Sequence, residues 1–423
     1  MHEKPKRERP CLLLVGPYFR PNHYGGVVQI YHQILTRLQN FDGVIVSQRL
    51  GADPDETQRF DHDCPVEYGY HVRRVERFDL QFPAGATLLE RLVDSARFFL
   101  KTRSEWMGIL RTVQPDVIVC GATLTAGWLM SRIPQSMPFI NYLHGEELAT
   151  EGESRFIRPY LFAKQMEAIR NADLNLSVSR YTANRAAELA GIDRERFVLL
   201  PNFVDVNRFL PARDREAVRR ELGWQDKRII LSLARLTPRK GIDQAVRALA
   251  DLRRSGKLSP DWFHIIAGRG EQETELRTLV DQLGLNEYTR FEGFVEQERL
   301  PLYYGAADIF LQPNRDLAGD TEGFGVVFLE ANACGTPVIG GVAGGTADAI
   351  REGVTGFRVD SEDLAAIGRA VLQLAENEGL RRRMGQTGFE VVRREHHLEG
   401  GVAKFEELVS RVTVQRGKPR GVR

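Results

Sequence analysis

Short apolar runs, each closed by glycine, proline or a polar cluster, recur along the chain and alternate with stretches whose apolar residues return every three or four positions. CLLLVG (11–16) reads as a buried strand and ends in a loop that holds Pro17, Pro21, Gly25 and Gly26; VVQIYHQILTRLQ (27–39) then has helical spacing. DGVIVSQ, PDVIVCGA, MPFINYLHG and LNLSVS follow as strands between further helical segments. Uninterrupted apolar strands separated by helices predict a parallel sheet covered on both faces. A second series, RIILSLARL, WFHIIAGRG, YTRFEGFV, ADIFLQP and TPVIGGVA, begins after VLLPNFVDVNRF (198–209). Two such series predict an α/β chain of two doubly wound, Rossmann-like domains, over 1–200 and 207–390, with the break between Pro201 and Asn207. Residues 391–423 read as a C-terminal helix able to pack back on the first domain, followed by a basic tail.

The length of 423 residues agrees with two domains. A formal net charge of +1 gives no pull toward nucleic acid. The four cysteines (Cys11, Cys64, Cys120, Cys334) form no CxxC pair, which argues against a disulfide framework or a zinc knuckle and for buried free thiols in a reducing cytoplasm. The apolar run after the basic start MHEKPKRERP is too short for a signal-peptide core or a membrane span, so a cytoplasmic protein is expected. Segment 86–113 is a basic amphipathic helix with Arg91, Arg97, Lys101, Arg103 and Arg111 against Glu90, Asp94 and Glu105. Such a helix either packs on the sheet or lies in a lipid headgroup layer, which leaves peripheral contact with the inner membrane face open.

In doubly wound folds ligands sit beyond the carboxyl ends of the strands, and the unusual residues fall there. LARLTPRKGID (233–243) puts Arg235 and Lys240 on the loop between a strand and a helix starting near Ile242. Two cations beside a helix N-terminus suit a diphosphate, although the same loop reads equally as ordinary surface charge. Gly268 begins a Gly-x-Gly turn at a strand end, a weak signal alone. No GxGxxG fingerprint or Walker A sequence occurs. GDTEGFGVVFLE (319–330) holds two carboxylates, Glu322 and Glu330, at the ends of an otherwise uncharged stretch. Gly323 and Gly325, which flank Phe324, let the backbone pass close to a ligand, and a helix from about Val326 points its N-terminus at it. The two carboxylates can then reach two separate polar groups of one ligand. The plainer alternative is a buried helix with Glu330 on its exposed edge and Glu322 as a favourable first-turn charge.

GDTEGFGVVFLEANACGTPVIGGVAGGTADAI (319–350) resembles the donor-site signature of the family 4 retaining glycosyltransferases, which have the GT-B fold. Their Glu-x7-Glu is matched by Glu322 and Glu330, their Arg and Lys diphosphate pair by Arg235 and Lys240, their Gly-Gly loop by Gly25-Gly26 and their active-site His by His144. FEGFV (291–295), ending at Val295, resembles the loop that holds the nucleotide base. The loop between Pro313 and Glu322 is longer than the family's usual one and is similar to that of bacterial phosphatidylinositol mannosyltransferases. The resemblance implies two Rossmann-like domains facing a deep interdomain cleft, with the acceptor bound by residues 1–200 and the nucleotide-sugar by 207–390. It implies a retaining, metal-independent hexosyl transfer from a nucleotide-diphosphate sugar, GDP-mannose before a UDP-sugar, to a glycan, lipid-linked or small-molecule acceptor. The nucleotide-sugar is a substrate, and no cofactor or metal is expected. Arg235 and Lys240 would neutralise the departing diphosphate, Glu330 would accept from the ribose, Glu322 would meet the donor sugar, and His144 would support the anomeric carbon. A sugar-nucleotide epimerase of the same fold and a non-catalytic nucleotide-sugar-binding relative are the alternatives. A glycoside hydrolase also uses two carboxylates, but from opposite sides of the bond and with no need for Arg235 and Lys240.

Overall fold

The structure, a computed structural model, describes residues 7–16, 18–21, 25–49, 54–78, 87–121, 124–134, 136–145, 148, 158–317 and 320–417. Pro17 of the first loop, Ala86, Gly319 of the glutamate segment and residues 418–423 of the basic tail lie outside them. The chain forms two compact units, Met1–Leu200 with Gly401–Arg423, and Pro201–Gly400.

The first unit is a seven-stranded parallel sheet. Its strands β1 (Cys11–Val15), β2 (Asp42–Gln48), β3 (His71–Val75), β4 (Val117–Gly121), β5 (Phe139–Leu143), β6 (Leu174–Ser177) and β7 (Phe197–Leu199) run in the order β3-β2-β1-β4-β5-β6-β7. β1 and β4 are buried along their whole length, as strands covered on both faces must be. β3, HVRRV, is an edge strand in which Val72 and Val75 are buried while His71 and Arg73 face solvent.

Helix Leu88–Val113 opens with a capping box between Thr87 and Glu90 and lays Phe98, Trp106, Leu110 and Val113 into the core against the sheet. Its first turns also carry Leu88, Leu89, Leu92, Val93 and Leu100, which are 42–72% exposed. The helix Leu398–Gly417 brings Glu406 to this unit, where one carboxylate oxygen accepts from the backbone N–H groups of Gln39 and Asn40 at 2.8 and 2.7 Å. All four cysteines are buried free thiols.

The second unit holds β8 (Arg228–Leu233), β9 (Trp262–Ala267), β10 (Thr289–Gly293), β11 (Ile309–Gln312), β12 (Val338–Gly341) and β13 (Gly356–Val359), all parallel, in the order β10-β9-β8-β11-β12-β13. Helix Ile242–Arg254 buries Ile242, Ala245, Val246, Leu249 and Leu252 against this sheet. At the amino ends of the strands, buried Asp308 accepts from Arg219 at 2.6 Å, Arg215 at 3.0 Å and the Ile229 N–H at 2.7 Å. That network ties helix Arg215–Leu222 to the sheet. In each unit the strand order reverses once, between β1 and β4 and between β8 and β11, and those are the points where a doubly wound fold opens a crevice.

Candidate functional site

In the second unit the loops after β8, β9, β10 and β11 converge because glycines let their backbones touch. Gly268 has φ +126°, and a Cβ there would stand 1.8 Å from the Ala234 carbonyl oxygen on the loop after β8. Its N–H donates to the Gly293 carbonyl at 2.6 Å, at the start of the FEGFV turn. Gly268 is thus required by the packing of three loops on one another. Val295, the last residue of FEGFV, is buried.

The glutamate segment closes the same end of the sheet. Helix Val326–Ala333 starts where the sequence places it, after Gly325 at φ +90°. A Cβ on Gly325 would come within 2.5 Å of the Phe328 ring, so only glycine fits this entry. Gly323 and Phe324 are buried, and the Phe324 ring lies 6.1 Å from that of His396, which makes it part of the packing. The Glu322 carbonyl accepts from the Gly345 N–H at 2.7 Å.

Glu322 and Lys240, assigned separately by the motifs, form an ion pair at 2.5 Å, with side-chain exposures of 13% and 12%. A second cation, not anticipated from the sequence, is the buried Arg239, whose Nη1 lies 3.1 Å from the same Glu322 oxygen and whose Nε lies 3.1 Å from Asp320. Burial pushes the Glu322 carboxyl up, but Lys240 and Arg239 outweigh it and hold its pKa down at about 2. Burial also pulls the Lys240 ammonium down from its ordinary value, opposed by Glu322. Arg235, on the same loop, is exposed and makes no ion pair among the described residues. One of the two expected diphosphate cations therefore faces solvent, and the other is held by a carboxylate.

Glu330 lies in the second turn of helix Val326–Ala333 and is not an exposed-edge residue. Its carboxylate accepts a 2.8 Å hydrogen bond from the hydroxyl of Tyr304, on helix Leu300–Ala306. Burial raises the Glu330 pKa, and the Tyr304 hydrogen bond opposes that rise. The two glutamates therefore have separate partners, Lys240 with Arg239 for one and Tyr304 for the other. Tyr304 lies inside PLYYGAAD, where no sequence signal separates it from its neighbour Tyr303.

In the first unit Gly25 and Gly26 open helix Gly26–Leu35 just beyond β1, are exposed, and have open space where a side chain would stand. The same helix carries Tyr31, whose ring meets the His144 ring edge-on at 5.1 Å. His144 directly follows β5, is 5% exposed, and its ring lies 4.3 Å from that of Tyr142, tilted by 46°. Among the described residues neither imidazole nitrogen has a hydrogen-bond partner. Burial without a counter-charge lowers its pKa to about 3, so the ring is neutral at ordinary pH.

Comparison with known proteins covers both units. Residues 24–208 match the model of Glycosyltransferase Family 4, and residues 214–391 match that of Glycosyl transferases group 1. A GDP-mannose-dependent alpha-(1-6)-phosphatidylinositol monomannoside mannosyltransferase of Mycolicibacterium smegmatis is 38% identical over 221 residues, which is 52% of this chain and 57% of that protein. A D-inositol 3-phosphate glycosyltransferase of Geodermatophilus obscurus is 37% identical over 224 residues, 49% of this chain and 48% of that one. The chain thus matches about half the length of these curated relatives. Among solved structures, the sucrose-phosphate synthase of Thermosynechococcus elongatus superposes with a TM-score of 0.74 at 20% identity, covering 96% of this chain and all of that one. Anabaena HepE, solved with UDP and glucose, gives 0.72 at 19% identity, covering 95% of this chain and 100% of its own. At these identities the shared property is the fold: two parallel-sheet Rossmann-like domains of the GT-B kind.

Proposed function

The chain belongs to the family 4 and group 1 glycosyltransferases, and from that premise we propose that it moves a hexosyl group from a nucleotide-diphosphate sugar to an acceptor hydroxyl with retention of configuration. The observation that carries this reading is the convergence of Lys240, Glu322, Glu330 and the Gly268 and FEGFV loops at the carboxyl end of one sheet. In the proposed reaction the bond from the anomeric carbon to the diphosphate oxygen breaks, and Arg235 and Lys240 stabilise the charge that develops on the leaving group. The acceptor hydroxyl attacks from the leaving-group face, and its proton goes to the departing diphosphate. Glu330 takes the ribose hydroxyls and Glu322 a hydroxyl of the donor sugar. From the first unit, Gly25 and Gly26 open a helix N-terminus whose N–H groups suit a phosphate. His144, neutral at working pH, serves as a hydrogen-bonding group toward the sugar and not as the base. No metal is assigned a part.

GDP-mannose is the preferred donor, on the strength of the 38% identical relative named for it, with UDP-sugars next. The acceptor we propose is lipid-borne and met at a membrane face. The exposed leucines at the start of helix Leu88–Val113, beside exposed Arg97, Lys101 and Arg103, support this. Among the described residues no helix is long and apolar enough to cross a membrane, so such contact would be peripheral.

A thermal-shift screen with GDP, UDP and ADP tests the donor reading, followed by transfer from GDP-mannose in EDTA. GDP is expected to stabilise most, and the product anomer to match the donor's. Lys240→Ala should lower turnover about 10²-fold or more with little change in melting temperature, since Arg239 still neutralises Glu322. Stabilisation by no nucleotide, an inverted product, or full activity in Lys240→Ala would each contradict it.

A further inference from the structure

We propose that Arg239 is the standing counter-ion of Glu322: a positioning residue that keeps this carboxylate ionised and aimed once the donor's diphosphate competes for Lys240. The inference rests on the proposed function above. In the resting arrangement one Glu322 oxygen takes both cations, Lys240 Nζ at 2.5 Å and Arg239 Nη1 at 3.1 Å. A diphosphate draws on Lys240, a compact charge on a flexible stem, and adds negative charge beside a carboxylate that is almost fully buried. Without a second cation Glu322 would be left nearly bare in that field. It would then take up a proton or swing away, and lose its hold on the sugar.

Arg239 is built to stay behind. Its guanidinium is held by Nε on Asp320 at 3.1 Å, and by Nη1 on Glu322 at 3.1 Å and on the Thr321 carbonyl at 3.4 Å. Its backbone is pinned as well. The Arg239 carbonyl accepts from the Arg315 N–H at 2.9 Å. The Arg315 side chain donates to the Pro238 carbonyl at 2.9 Å and forks onto Asp243 at 3.2 and 3.1 Å. Arg315 and Asp320 both lie in the long segment between Pro313 and Glu322. That segment thereby acquires a role: it holds the guanidinium that holds the sugar-facing carboxylate. Asp320, 55% exposed, is screened by solvent and acts as the anchor, whereas Glu322, at 13%, depends on Arg239 for its charge.

The test separates binding from turnover in the full-length protein. Turnover is read as hydrolysis of GDP-mannose, or of UDP-glucose where UDP is the nucleotide bound, so no acceptor is needed. Arg239→Gln should leave the dissociation constant of the nucleoside diphosphate within about threefold of the parent and lower kcat about 10²-fold, with partial recovery in Arg239→Lys. Asp320→Asn, which keeps the guanidinium but loosens its anchor, should lower kcat by a smaller factor, and it stands in should Arg239→Gln fail to fold. A structure of the parent with nucleoside diphosphate should show Lys240 turned toward the phosphates and Arg239 still on Glu322. Parental kcat in both Arg239→Gln and Asp320→Asn, or Arg239 leaving Glu322 in that complex, would overturn the inference while the donor site stood. A parent that bound no nucleotide would overturn the site and the inference together.

Discussion

Glu330 and Tyr304 show how a residue legible in the sequence depends on one that is not. Glu330 is buried enough that its carboxyl is pushed toward the neutral form, and the Tyr304 hydroxyl at 2.8 Å works against that. A hydrogen bond to a charged group contributes roughly 1.5–3 kcal/mol, so Tyr304→Phe should weaken nucleoside-diphosphate binding by about tenfold or more. Since the proposed ribose contact would be made equally in ground and transition states, kcat should hardly change. Glu330→Gln should act in the same direction and more strongly. Calorimetric titration with GDP and steady-state hydrolysis of GDP-mannose check both; a loss confined to kcat in Tyr304→Phe would contradict the assignment. Glu322, Glu330, Arg235 and Lys240 were legible because charge is conspicuous within apolar or glycine-rich sequence. Arg239 was not, because it stands next to Lys240 and reads as more of the same surface charge. Only the fold brings Asp320 and Glu322 onto it.

At the level of elements, strands buried on both faces announced themselves by composition, and β1, β2, β4 and β5 lie where their apolar runs are. β3, HVRRV, carries three basic residues and was missed, because an edge strand needs apolar side chains at only some positions. β13, GFRV, is the opposite edge of the other sheet and was missed for the same reason. Helix Leu88–Val113 carries two readings at once, and the structure divides them along its length. Phe98, Trp106, Leu110 and Val113 satisfy the core, while Leu88, Leu89, Leu92, Val93 and Leu100 are left outside. Lys101 is engaged by Glu76, whereas Arg97 and Arg103 make no ion pair among the described residues. Basic residues near an anionic surface contribute about 1 kcal/mol each, and the exposed leucines add burial in the headgroup layer. Vesicles containing phosphatidylserine or cardiolipin should therefore co-sediment the protein. Arg97→Glu with Arg103→Glu should lower the bound fraction at low salt, and Leu89→Ser with Leu100→Ser should lower it at low and high salt alike. Equal binding by all variants, or none by the parent, would remove this helix from the acceptor argument and favour a soluble acceptor.

Among the described residues, His144 in the first unit and His264 in the second are buried and His32 in the first is half-buried, and no counter-charge raises the pKa of any of the three. Burial lowers each pKa from 6.5 to about 3, with Arg20 and Arg37 adding to the effect at His32. His264 is held neutral between the sheet strands, its ring 2.8 Å from the Ser232 hydroxyl. Unfolded, each ring takes a proton near its ordinary value of about 6.5. Folded, it does so only near 3. Between those values the unfolded chain binds more protons, so the native state loses ground as the pH falls. The contribution is complete above about pH 6.5 and declines toward pH 3, by up to about 1.4 kcal/mol per pH unit for each ring. The Glu322 carboxylate, depressed from 4.5 to about 2, adds a loss of the same sign but only once the pH drops below about 4.5. A fall in melting temperature between pH 6.5 and 5 therefore belongs to the histidines and precedes the loss at Glu322, while Glu330, whose carboxyl is raised above its ordinary value, works in the opposite direction. His264→Gln, which keeps a polar group beside Ser232 but cannot be charged, should flatten that fall in the transition of the second unit and leave the first unit's transition unchanged. Melting curves at half-unit steps from pH 7.5 to 5 decide it. A flat profile in the parent would mean that these rings protonate in place, and His144 would then regain the charged form that its neutral role toward the sugar excludes.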